Sequence, residues 1–141
     1  MPLRPVLGAL GAAAATVLVL SAPATAAPGD KVTIDRTARL SVDGTVTVSG
    51  TYRCFGVNGP VFIGAAIGRG PSATRYGIGG TRAVCDGAHH RWRASGTVTP
   101  KRLRPGPARV EAVLVELRQH SGLPLPHFHA SHHRNVMLVA H

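Results

Sequence analysis

The chain has 141 residues, with sixteen Lys and Arg against six Asp and Glu and a net charge of +10. That length holds one domain of ordinary size, and so few carboxylates argue against a paired acid–base catalytic site. Aromatic residues make up only 4%, too few to supply the stacking platforms of a specific single-strand nucleic-acid binder.

Residues 1–26 have the three zones of an export signal. Arg4 is followed by an apolar run from Val6 to Leu20, and Ser21 to Ala26 supplies small residues for a signal peptidase. Cleavage is expected after Ala26, leaving residues 27–141 as the mature domain. The apolar run, interrupted by Gly8 and Gly11, is shorter than the about 20 residues that a membrane-spanning helix needs. No later run is long enough to replace it. The expectation is a secreted, extracellular protein without a membrane span.

Cys54 and Cys85 are the two cysteines. An even pair in a small exported domain reads as a structural disulfide. A metal or redox pair would call for C-x-x-C spacing, which the sequence lacks.

From Lys31 the apolar positions alternate with polar ones, the signature of strands. Val32 and Ile34 open a first strand, continued or kinked through Leu40 and Val42. Asp43-Gly44 is a hairpin-type turn. In Thr45–Cys54, Val46, Val48, Tyr52 and Cys54 share one face, and Thr45, Thr47, Ser49, Thr51 and Arg53 the other. Val61–Ile67 follows the turn at Asn58-Gly59-Pro60, with its odd positions bulkier. Short strands are expected around Tyr76–Ile78 and at Ala83–Cys85. In Arg91–Val98, Trp92, Ala94 and Val98 point inward and Arg91, Arg93, Ser95 and Thr97 outward. Ala108–Leu117 is the most apolar strand. Gln119–Arg134, with Pro124, Pro126 and a run of histidines, reads as a long connection, and Val136–Ala140 closes the domain. About seven short strands with frequent turn signals predict a single all-β, antiparallel β-sandwich of immunoglobulin-like type.

Several segments in this order carry a family resemblance. They are Lys31-Val-Thr-Ile-Asp35, Leu40-Ser-Val-Asp-Gly-Thr-Val-Thr-Val-Ser-Gly-Thr-Tyr-Arg-Cys54, Cys85-Asp-Gly with His90 and Trp92, and Arg104-Pro-Gly-Pro-Ala-Arg-Val110. Over about residues 30–140 the chain resembles a family of small secreted actinobacterial proteins classed as a domain of unknown function. The resemblance implies an exported immunoglobulin-like domain and supplies no activity. The first strands are also similar to those of the secreted apoproteins that carry enediyne chromophores. Those apoproteins have two disulfides, whereas this chain has cysteines for one.

Three groups of residues invite a functional reading. His127, His129, His132 and His133 fall within seven positions. Imidazole is the commonest metal ligand, and His-x-His on an extended segment suits Zn²⁺ or Cu²⁺. The alternative is a solvated loop that happens to carry imidazoles. Arg91 and Arg93, with Lys101, Arg102 and Arg104, form a cationic face for phosphate or sulfate groups if they converge. Asp86 near His89 and His90, with Ser95 or Ser72, has the composition of a triad, but no serine sits in a nucleophile elbow.

The resulting expectation is a monomeric, non-enzymatic extracellular binding or interaction module that needs no cofactor. Its partner would be a cell-envelope polymer or another extracellular protein, not specific nucleic acid. The alternatives are a small-molecule or metal carrier and an envelope polyanion binder. A carrier needs a concave apolar pocket, a polyanion binder needs its arginines on one face, and an interaction module needs a contiguous exposed apolar patch.

Overall fold

A computed structural model describes residues 29–70, 74–98 and 103–141. The expected leader at 1–26, together with Ser72, Lys101 and Arg102, lies outside the described residues. These contain eight strands and no helix: β1 (Lys31–Val32), β2 (Thr37–Leu40), β3 (Thr45–Arg53), β4 (Val61–Gly68), β5 (Arg75–Ala83), β6 (His90–Thr97), β7 (Gly106–His120) and β8 (Leu123–Ala140). With no helix among them, nothing here is a long apolar helix able to cross a membrane.

The strands form two layers. In the first, β3 is flanked by β6 on one edge and β1 on the other, all antiparallel. The second runs in the order β2-β8-β7-β4-β5. The opening segment belongs to both. Its Thr33 and Asp35 amides bond to the Thr51 and Ser49 carbonyls of β3. The chain bends at Arg36, and β2 then pairs with β8 while Arg39 and Leu40 stay paired with Thr47 and Val46 of β3. A first strand that switches layers in this way completes an immunoglobulin-like sandwich. The switch also makes the β2–β8 pairing parallel, where antiparallel pairing throughout was expected. The bend divides the expected first strand into two.

Alternation builds the core as the sequence implies. Val46, Val48 and Tyr52 on β3, Trp92 and Ala94 on β6, Val61, Ile63 and Ile67 on β4, and Val110, Ala112 and Leu114 on β7 are buried in one cluster. Gly50 lies opposite Trp92, and a Cβ there would come within 1.9 Å of the Thr33 carbonyl oxygen. Only glycine lets that carbonyl sit over β3 and accept the 2.8 Å hydrogen bond from the Trp92 indole. On the far side of the sandwich, a Cβ on Gly96 would lie 2.2 Å from the Ile78 carbonyl oxygen. Glycine therefore allows β5 and β6 to close against each other.

Cys54 and Cys85 form a disulfide. It joins the end of β3 to the segment just after β5, and so ties the two layers at one end. Strand β5 is continuous from Arg75 to Ala83, replacing the two short strands expected around Tyr76 and Cys85.

The largest departure concerns residues 119–134. They form no long connection: β7 and β8 make one hairpin closed by Ser121-Gly122. Both turn residues have positive φ, 53° and 83°, as a two-residue type I′ turn requires. In such a hairpin the closing pair exchanges both backbone hydrogen bonds, and bonded pairs recur every second residue. Those pairs are His120–Leu123, Arg118–Leu125 and Glu116–His127. Pro124 and Pro126 fall between them, where an N–H would point off the edge of β8. That edge is covered by β2 only at Met137–Ala140. The missing N–H groups are thus ones the ladder does not use, and the strand continues through both prolines.

Candidate functional site

The β7–β8 hairpin carries most of the chemistry. Near its middle the register slips: Leu114 faces Ala130 and Val115 faces Phe128. His129 is the extra residue of a β-bulge, which turns it inward beside Ala130 instead of outward. Its ring, 5% exposed, lies between two carboxylates that are 2% and 0% exposed. Nδ1 is 2.8 Å from Asp30 Oδ2, and Nε2 is 2.7 Å from Glu116 Oε1.

Alternation places Glu116 inside, continuing the Val110, Ala112 and Leu114 face of β7. Asp30 immediately precedes β1. The other oxygen of each carboxyl group is engaged as well: the Asn58 amide donates to Glu116 Oε2 at 2.9 Å, and the Phe55 amide donates to Asp30 Oδ1 at 3.1 Å. Arg118 Nε stands 3.2 Å from Glu116 Oε1. Burial pushes the Glu116 carboxyl up, but the hydrogen bonds from His129, the Asn58 amide and Arg118 outweigh it and bring the group down to about 2. Both ring nitrogens are thus engaged, and His129 joins the domain's first residues to the hairpin. The same geometry leaves neither nitrogen available for a metal or a nucleophile.

The other three histidines of the cluster go elsewhere. His127 is exposed, its ring edge against His129 at 5.1 Å between centroids. His132 points to the inner face and is half-buried. Burial, followed by the nearby charges of Arg134, His133 and Lys31, holds it below the ordinary histidine range. His133, on the opposite face, approaches Glu111 at 3.1 Å. The four rings are thus spread along the hairpin, with His133 on the opposite face and both nitrogens of His129 already engaged, and they do not converge into the expected joint Zn²⁺ or Cu²⁺ site. No group of three His, Cys, Asp or Glu among the described residues is arranged to hold a metal.

A family described as "Family of unknown function (DUF6299)" matches residues 28–141. The chain belongs to that family. Among solved structures, the DUF6299 domain is similar to murine CRIg, with a TM-score of 0.35 and 9% identity over 79% of this chain and 98% of the other. No curated protein matches.

The cationic residues of the DUF6299 domain divide in the same way as the histidines. Arg91 and Arg93 project from the outer face of β6 and line a hollow of about 610 Å³ with Arg36, Arg39, Asp35, Thr37, Thr47, Ser49 and His141. Arg104 is exposed beyond β6, before β7, and does not line that hollow. Arg36 and Arg39 had not been singled out, because the bend between β1 and β2 that brings them beside β3 is invisible in the alternation. Asp86 bonds to His90 at 2.8 Å, and the His90 ring stacks on Tyr52. Ser95 lies five residues further along β6 and bonds to Thr47. That is about 17 Å away on the opposite face, so the suspected triad does not assemble.

Proposed function

We propose that this is a non-catalytic extracellular interaction module that holds a protein partner on its β7–β8 hairpin. The observation that supports the reading is a row of apolar side chains across the outer face of the second layer. Phe62 on β4 faces Val115 on β7, which faces Phe128 on β8, and Phe128 is 61% exposed. The next row toward the tip pairs Leu117 with Pro126. Leu123 and Leu125, on the tip's other face, are 63% and 45% exposed. An exposed patch of this kind on a small domain marks an interaction surface.

The surroundings favour a partner with an acidic rim. Arg82 reaches over Phe62 at 5.9 Å, and Arg118, His120 and His127 border the tip, while the carboxyl groups beneath it, Asp30 and Glu116, are buried. Pro124 and Pro126 remove the edge N–H groups that strand addition would use. Recognition therefore runs through side chains. A carrier of small molecules, as the likeness to chromophore-bearing apoproteins would suggest, calls for an enclosed apolar cavity. The hollow on the first layer is instead open and lined with arginine and hydroxyl groups.

Site-specific crosslinking tests the proposal. A photoreactive residue at position 125, with one at position 47 as control, is presented to intact producing cells. A discrete protein adduct is expected at position 125 only, competed by excess unmodified domain and not by a Leu123→Ser/Phe128→Ser variant. Equal adducts at both positions, or equal competition by the variant, would overturn the assignment.

A further inference from the structure

The opposite face of the sandwich carries a second feature that the hairpin does not use. On the outer face of the first layer, β3 presents Thr47 and Ser49 as a floor of short hydroxyl side chains. Long cationic side chains stand on both sides: Arg91 and Arg93 from β6, and Arg36 from the bend before β2 and Arg39 from β2 itself. The pairing makes this geometry necessary. Ser49 lies opposite Arg93 on one edge of β3, and Thr47 lies opposite Arg39 on the other. Small residues on the central strand and large ones on its neighbours make a trough running along β3.

The trough's charge is unbalanced. Asp35 is the one carboxylate side chain lining it, and it is paired with Arg91. Among the described residues, Arg36, Arg39 and Arg93 have no carboxylate partner. Guanidinium groups above hydroxyl donors match the oxygens of phosphate, which accept bidentate and charge-assisted hydrogen bonds. Arg91 and Arg93 are two residues apart on an extended strand, about 6–7 Å, and face a second pair across the floor. One phosphate can meet only part of such a lining. An extended chain bearing several phosphates can meet all of it. His141 is the one ring lining the trough, with no Phe, Tyr or Trp beside it, so a run of bases would lack successive platforms to stack on.

We infer that this trough is a binding site for a phosphate-bearing linear polymer, recognised through its charged backbone and not through bases. The site lies on the opposite layer from the hairpin and stands independently of it.

Long-chain inorganic polyphosphate is the probe, titrated by calorimetry or fluorescence anisotropy against the intact domain. Binding is expected to weaken roughly tenfold or more between about 50 and 200 mM salt, as three or so phosphate contacts release their counterions. Arg39→Gln/Arg93→Gln should lose at least tenfold in affinity at low salt, while Arg69→Gln/Arg104→Gln, exposed positions that do not line the trough, should bind as the parent does. Inorganic phosphate should bind at least tenfold more weakly than the polymer. Equal loss in the two double variants would overturn the site. Equal affinity for polyglutamate would overturn the phosphate preference, and tighter binding of single-stranded DNA would overturn the backbone-only reading. A circular dichroism spectrum matching the parent's establishes that each variant is folded.

Discussion

The two halves of the β7–β8 hairpin put similar residues into opposite surroundings. Toward the sandwich, His129 is buried between Asp30 and Glu116, and every polar atom that the three share has a partner. Toward the turn, His120 and His127 stand in solvent, and Leu123, Leu125 and Phe128 are exposed. The sequence is histidine-bearing throughout. What separates the buried ring from the exposed one is depth along the hairpin: His127 lies nearer the turn on the same face, while His129, the bulge residue, is enclosed between Asp30 and Glu116. The inner half anchors the domain, leaving the outer half free to serve as a contact surface.

The strongest way to break this comparison is to exchange one histidine at a time. His129→Ala leaves two buried carboxyl groups without the ring that both bond to, and removing one member of such a buried polar network costs about 3–5 kcal/mol. His127→Ala removes an exposed ring and should change stability by less than about 0.5 kcal/mol. Urea unfolding of both variants measures the contrast. Equal effects would mean that the ring at 129 is held no more tightly than the one at 127.

Acid should release the inner half next. Glu116 is held down to about 2, below its ordinary value of 4.5, so the native state keeps it ionised after the unfolded chain has taken up a proton. Its contribution is fully present above about pH 4.5 and is lost as the pH falls toward 2, up to about 3 kcal/mol in all. Unfolding free energy measured from pH 6 to pH 2 should show that decline. In Glu116→Gln this part of the acid dependence should be absent, and the curve correspondingly flatter.

Much of this architecture is legible in the chain itself, and the exceptions have physical causes. The inward faces of β3, β4 and β6 follow from alternation alone, as does the disulfide from an even cysteine pair. Glu116 could also have been found: it continues the inward series Val110, Ala112 and Leu114, and a carboxylate in that position needs a buried partner. The partner itself was hidden. Asp30 lies 99 residues from His129, and a bulge of one residue leaves no mark in a pattern already broken by Pro124 and Pro126. The trough was half visible for a similar reason. Arg91 and Arg93 announce an outward face, while Arg36 and Arg39 reach it only because the opening segment bends between layers.

The same prolines provide the gentlest test, because their effect should appear in association and barely in stability. Both occupy positions where β8's backbone would otherwise offer an N–H to solvent, and neither interrupts a ladder bond. Pro124→Ala/Pro126→Ala should therefore leave the folded hairpin intact, with unfolding free energy changed by no more than about 1 kcal/mol. It would, however, restore two edge donors beside Leu123, Leu125 and Phe128, the combination of free backbone and apolar side chains that promotes strand-to-strand pairing. Sedimentation velocity over a concentration series should show the variant self-associating where the parent remains a single species. If the variant stays monodisperse, the prolines are not what guards this edge, and the turn or the surrounding charges must do so instead.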